Sequence, residues 1–472
     1  MFSENSILST ETGFILLAII SVVWIVLGYI WGKKVTNIDS FMLAGRNVGF
    51  ALGTATAVAT WITSNTTMLA PQFALELGIW GMIAYSTASF GLFLFAPMAR
   101  RIKKLMPNGY TSGDFIRLRY GKKAWYMFLV ISIFYGLTWL ISMAMAGGIL
   151  MNTIAGIPYK IGMTVILFVC VSYTLFGGLF GVIGTDYIQS LIILIGVVFI
   201  GYSVLDRLDI PEVYANLQIE RPMLLSILLP ASIMAFFNNM LFGFGEIFHS
   251  NVWWSRVFAM RKEVGAKAYT LAGFIWFPIP IAAGFIALST DTLGLNITSP
   301  DMVGPMVATY ILGKVGAIIV FIVLFSSLAS SIDSLLAATS DLLTQDFYKK
   351  IINPQSTDKQ QRRVSSLTIL SIGLFAWLVS LPKIGTLATV LFFAGPLVAS
   401  TIWPIITGLY WKTVNRSGAF AAMLCGSLVG LIAYFELGWY TASLISAAVS
   451  MLVTLISTKL KPEDFNWTNL KE

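Results

Sequence analysis

The stretch VLFSSLASSIDSLLAAT, residues 323–339, places six hydroxyls and one carboxylate, Asp333, inside a long apolar run. Ser327, Ser330, Ser331 and Ser334 stand at i, i+3, i+4 and i+7, which is one stripe of a helix, with Asp333 on its shoulder. Serine hydroxyls and helix carbonyls are neutral, hard oxygens. They suit a small monovalent cation, whose water shell must be replaced without several carboxylates. Small residues for close helix packing would give the same stripe without an ion. Four hydroxyls beside an acidic group shift the balance toward a cation.

Such an ion needs ligands from a second element. ATAVATWITSNTTMLAP, residues 55–71, is too polar and β-branched for a plain lipid-facing helix. A break there would free backbone carbonyls, which a membrane tolerates only where they line a cavity or bind something. FNNMLFGFGEIFHS, residues 237–250, carries a second break signal, expected at Gly243–Glu246. Interrupted helices at matching positions of two halves point to a binding site near the bilayer midplane. Glu246 and His249 follow at i, i+3, with Asn251 just beyond; Trp61, Asn65 and Gln72 would form the facing wall. His249 is the only histidine and either bonds a carbonyl or pairs with Glu246 as a pH-sensitive group. Asp186 is a further carboxylate within an apolar run, and intramembrane carboxylates are functional by default.

The elements that position these groups follow from composition. Hydrophobic residues are 57% of the 472-residue chain, charged residues 11%, and mean hydropathy is +0.82. No soluble core absorbs that much apolar surface, so the chain reads as an all-α membrane protein. Thirteen candidate spans lie at about 12–32, 48–76, 80–100, 124–150, 159–178, 182–205, 225–255, 268–290, 304–345, 364–382, 386–411, 418–437 and 440–458. With the N-terminus outside and the C-terminus cytoplasmic, twenty-five of the thirty Lys and Arg fall on the inner side. The +8 net charge is therefore an orientation signal rather than a nucleic-acid footprint. The opening residues lack the basic region of a signal peptide, so the first run is expected to be retained, and no attached soluble domain is expected. The two cysteines, Cys170 and Cys425, sit in apolar runs without metal-ligand spacing. HExxH, GxSxG and paired-Asp motifs are absent, so an enzyme is not expected.

Four motifs in order then resemble the sodium:solute symporter family: DSFMLAGR (39–46), YTLFGGLFGVIGTDYIQ (173–189), SSLASSIDSLLAATSDLLTQDFYKK (326–350) and YWKTVNRSGAFAAML (410–424). Residues 60–101 and FGEIF (244–248) are most similar to its urea-transporting branch. The resemblance implies the leucine-transporter fold, a 5+5 inverted repeat with one extra N-terminal and two extra C-terminal helices. The single transmembrane domain (1–472) would then comprise the extra helix 12–32, a first repeat 47–206, a second repeat 225–411 and two extra helices at 417–459. It also implies a sodium site from Ala59, Ile62, Ser327, Ser330 and Ser331. Candidates for a second cation site are Asp186, Asp333 and Ser334, where Asp333 departs from the family's hydroxyl pattern and would bind a cation or carry a proton.

The expected function is sodium-coupled import of a small polar solute across the plasma (inner) membrane by alternating access, with Na+ as coupling ion. Acidic groups near the site favour urea or an amine or amide; a monocarboxylate, amino acid or sugar is the alternative. A membrane solute sensor is the alternative of another class. The expected partners are the solute, sodium and lipid, without nucleic acid, in a monomer or weak homo-oligomer.

Overall fold

The computed structural model describes residues 7–297 and 300–471. Among them helices account for the architecture, and the one β-type contact is an isolated bridge between Val48 and Met260. Eleven helical runs are long and apolar enough to cross a membrane. The chain opens with α1 (Thr10–Gly32) and a short helix Ile38–Leu43, then α2 (Phe50–Trp61), α3 (Ser64–Ser86) and α4 (Ser89–Leu105). A short, largely buried helix Ser112–Tyr120 leads to α5 (Lys122–Ala155) and α6 (Tyr159–Leu205). Next come α7 (Pro230–His249), α8 (Asn251–Ala259), α9 (Val264–Trp276), α10 (Pro278–Ala287) and α11 (Val303–Leu342). A π-helical turn Leu343–Ile352, α12 (Asp358–Ser380), a segmented run Leu387–Tyr410, α13 (Arg416–Glu436) and α14 (Trp439–Leu460) complete it.

Three glycines hide reversals inside apparently continuous helices. Gly78 (φ 65, ψ −141), Gly178 (φ 51, ψ −145) and Gly313 (φ 65, ψ −159) adopt a backbone conformation open in practice to glycine alone. At Gly178 the fit is also tight: an added Cβ would meet the Phe41 carbonyl oxygen at 2.5 Å. The expected span 304–345 is therefore two pieces, a short helix before Gly313 and a long one after it. The expected spans 159–178 and 182–205 are two helices turned at Gly178.

Two other breaks frame the interior. Between α2 and α3 the chain leaves helical geometry at Ile62 (φ −80, ψ 78), and Thr63 caps α3 in a capping box with Thr66. The second break is a correction. Residues 243–246 stay helical, and the interruption falls at Ser250 (φ −68, ψ 129), which caps α8. Gly243 and Gly245 are there for close approach. A Cβ would stand 2.7 Å from the Ala88 Cα at one and 2.6 Å from the Val398 carbonyl carbon at the other.

Packing sorts the helices as the sequence pattern demands. α1 and the face of α6 bearing Ile195, Val198 and Phe199 expose aliphatic and aromatic side chains, as lipid contact requires. By contrast, Ser326 through Leu342 are buried throughout, because α11 packs against α5 and α6 and touches α2.

Candidate functional site

The broken helix determines which carbonyls are free. The Thr63 N–H, which a continuous helix would aim at the Ala59 carbonyl, donates instead to Thr66 Oγ1 at 3.3 Å. The Trp61 carbonyl is taken by Trp276 Nε1 at 2.8 Å and by Thr66 Oγ1 at 3.2 Å. The serine ridge of α11 faces this stretch. Ser331 Oγ lies 3.5 Å from the Thr60 carbonyl oxygen and donates to the Ser327 carbonyl at 3.0 Å. Ser330 Oγ donates to Asp186 Oδ1 on α6 at 2.5 Å. Ala59, Ile62, Ser327, Ser330 and Ser331 are all buried, and α2 meets the serine ridge of α11 where Ser331 approaches the Thr60 carbonyl. Each serine hydroxyl spends its proton on a neighbour, which leaves oxygen lone pairs for a cation.

One turn further along α11 a second polar cluster forms around Arg256. Arg256, in the last turn of α8, has no solvent exposure. Its Nη2 donates to Ser334 Oγ at 2.7 Å and Thr60 Oγ1 at 2.8 Å, and lies 3.3 Å from Asp186 Oδ2. Its Nε donates to Thr56 Oγ1 at 2.9 Å, and Thr56 Oγ1 donates to Asp186 Oδ2 at 2.5 Å. Asp333 sits at the edge, accepting from Tyr173 at 2.7 Å and from Ser334 at 3.3 Å. Thr56 was not singled out in the sequence. Its i, i+4 spacing with Thr60 was the available signal.

The candidate solute residues separate. Trp61, Asn65 and Glu246 line one cavity with Thr63, Tyr85, Tyr135, Trp139, Asn239 and Trp276. Trp61 is held edge-on by Trp139 and Trp253 and tilted against Trp276, with ring centroids 5.2–6.5 Å apart. Asn65 Oδ1 and Trp61 Nε1 are buried without a protein hydrogen-bond partner, while the Glu246 carboxyl lies against the Tyr135 hydroxyl and the Trp253 indole N–H. A buried polar atom without a partner costs about 1–3 kcal/mol unless something pairs with it, so one acceptor and one donor are free to pair with a small polar molecule. His249 stands behind this wall. Its Nδ1 bonds the Gly245 carbonyl at 2.7 Å, which places the proton there, and its ring stacks edge-on with Tyr135. Gln72 does not line the cavity; it donates to Glu76 at 2.9 Å. Asn251 also lies outside it, joining the Ser112 N–H and the Ala338 carbonyl, each at 3.1 Å. The sequence did not single out Tyr85, Tyr135, Trp139 or Trp276 for the cavity, and Asn239 lay in the quoted stretch 237–250 without being assigned to it.

Away from the core, two ion-pair networks tie the connecting segments together. Asp39 pairs with Arg46 at 2.9 Å and accepts from the Tyr110 hydroxyl at 2.8 Å. Lys350 bridges Asp114 and Asp346, and Asp346 also accepts from Thr111 at 2.6 Å. Burial works to raise the Asp114 carboxyl, but Lys350 and the Tyr110 and Thr111 N–H groups outweigh it and hold it below the ordinary carboxylate range.

Comparison with known proteins agrees with this architecture. The chain is 26% identical to the urea-proton symporter DUR3 of Oryza sativa subsp. japonica, over 95% of this chain and 70% of that protein. It is also 26% identical to the osmoregulated proline transporter OpuE of Bacillus subtilis (strain 168), over 91% of this chain and 88% of that one. Among solved structures it resembles a Na+-coupled sialic acid symporter in a substrate-bound outward-open state. The TM-score is 0.77 at 16% identity, over 96% of this chain and 99% of that one. The solved neighbours share the leucine-transporter fold, and the relatives are transporters, not enzymes. With eleven apolar runs, this is an integral membrane protein. The sequence pattern described as "Sodium:solute symporter family" matches residues 41–426, and the chain belongs to that family.

Proposed function

We propose that this protein is a sodium-coupled secondary active symporter that imports a small polar organic solute by alternating access, urea or an amide- or amine-type solute first. The observation that carries the sodium reading is the buried serine ridge against a broken helix, with Ser331 Oγ 3.5 Å from the Thr60 carbonyl. Sodium is held by the carbonyls of Ala59, Ile62 and Ser327 and the hydroxyls of Ser330 and Ser331. Binding ties α2 to α11 and orders the break at Ile62–Thr63. That completes the wall from which Trp61 and Asn65 face Glu246. Separation of α2 from α11 on inward opening releases ion and solute together. One charge moving through 100 mV is worth about 2.3 kcal/mol, roughly a fiftyfold concentration of solute per sodium.

Counting the two helices of α6 separately, and joining α2 to the first part of α3, gives thirteen crossings. They divide into an extra helix, inverted repeats at 47–206 and 225–411, and two extra helices at 417–459. The basic loops set the N-terminus outside and the C-terminus in the cytoplasm of a cell whose plasma membrane holds the protein. A free acceptor, Asn65 Oδ1, and a free donor, Trp61 Nε1, beside the Glu246 carboxyl fit urea, which offers N–H groups and a carbonyl. The rice relative named a urea-proton symporter supports that class. The proline transporters among the relatives favour an amino acid as the alternative.

The test is uptake of labelled urea and proline by proteoliposomes under an inward sodium gradient, against potassium. Accumulation of urea only with sodium supports the reading; equal uptake in potassium removes sodium coupling. A second reading, carried by that same relative's name, makes the ion a proton. It requires accumulation in sodium-free medium under an inward proton gradient.

A further inference from the structure

We propose that the Arg256 guanidinium is a built-in cation, permanently filling a second cation site made by Thr56, Thr60, Asp186 and Ser334. The inference rests on the sodium reading only for what the neighbouring first site holds; the second site stands on its own geometry.

Three side-chain oxygens from three helices converge on one nitrogen, Nη2, at 2.7–3.3 Å, and a fourth meets Nε at 2.9 Å. One of the four oxygens belongs to a carboxylate and the rest to hydroxyls, a set that would equally suit a monovalent metal ion. All four residues are buried, as is Arg256. A buried carboxylate requires a compensating charge, and here the chain supplies it. A guanidinium does not lose its proton in proteins, so the positive charge is permanent. Nη1 is tethered to the Val252 carbonyl of its own helix at 2.9 Å. The charge therefore travels with α8 and never crosses with the solute. Asp186 joins the two places: Oδ2 faces Arg256, while Oδ1 accepts from Ser330 of the first site. With the second place filled from within, no mobile ion enters it, and any sodium the chain carries is confined to the first.

Equilibrium binding of 22Na+ to the purified full chain, without solute, tests this. Arg256→Gln should bind one more sodium per chain than the wild type. Adding Asp186→Asn should abolish the extra ion, and Arg256→Lys, which keeps the charge, should not gain it. Equal counts in the wild type and Arg256→Gln would overturn the proposal and leave sodium coupling standing. No binding by the wild type with one sodium gained by Arg256→Gln would do the reverse. Should Arg256→Gln not purify in folded form, Arg256→Ala kept in millimolar guanidinium chloride serves instead. Guanidinium should then compete with one bound sodium, and a lack of competition would equally overturn the proposal.

Discussion

Ser331→Ala separates ion binding from folding. The hydroxyl donates to the Ser327 carbonyl one turn back at 3.0 Å, an oxygen the α11 backbone already pairs. Besides that bond its loss removes a long 3.5 Å contact to the Thr60 carbonyl, and a neutral hydrogen bond of this kind contributes about 0.5–1.5 kcal/mol net. The fold should therefore survive. As an ion ligand the same oxygen interacts with a full charge, worth about 1.5–3 kcal/mol. At about 1.4 kcal/mol per factor of ten, the sodium dissociation constant should rise roughly ten- to one-hundred-and-forty-fold. The assay is 22Na+ titration of the purified chain, with thermal unfolding in potassium as the control for folding. Unchanged sodium affinity in a variant that melts like the wild type would refute the site. Ser330→Ala is a less clean probe, because its 2.5 Å bond to Asp186 is charge-assisted and its loss also weakens the fold.

Three further outcomes are expected. Glu246→Gln turns the cavity's one carboxyl acceptor into a mixed donor and acceptor, so the KM for urea uptake should rise about tenfold, a cost of about 1.4 kcal/mol; an unchanged KM would place Glu246 away from the solute. Asp114→Asn should lower the melting temperature at pH 7. Because the folded carboxyl is held below its unfolded value, its stabilisation is complete above the ordinary carboxylate range and fades as pH falls through the depressed value, so the gap between variant and wild type should close only in strong acid. A gap that widens on acidification would contradict the ion pair with Lys350. Gly178→Ala should cost about 1–3 kcal/mol from backbone strain alone, and more from the 2.5 Å approach to Phe41, read as a loss of folded protein on fluorescence size exclusion.

The sequence was most legible where a residue's type and its period say the same thing. The serine stripe of α11 is a periodic signal within one helix, and burial followed from it. The helix break near Thr60–Thr67 was legible because β-branched and polar residues at that density oppose a lipid-facing helix, and the chain does leave helical geometry at Ile62. GFGE misled because glycine has two uses. Gly243 and Gly245 admit the backbones of Ala88 and Val398, and the break waits for Ser250, a capping side chain. Gly313 erred the other way, reversing the chain within a run expected as one span, whereas the turn at Gly178 falls where the expected spans 159–178 and 182–205 meet.

By itself the sequence determined that the chain lies in a membrane, where its charged loops fall, and which helix faces carry oxygen. These are local properties, set by side-chain chemistry and helical period. Tertiary structure decided what those oxygens meet. Asp186 and Arg256 are seventy residues apart, and no period links them; only the packing of α2, α6, α8 and α11 sets the guanidinium among Thr56, Thr60 and Ser334. The same holds for the aromatic walls around Trp61, which come from three different helices. A charge buried without exposure must be matched by groups brought from elsewhere, and that matching belongs to the packed whole.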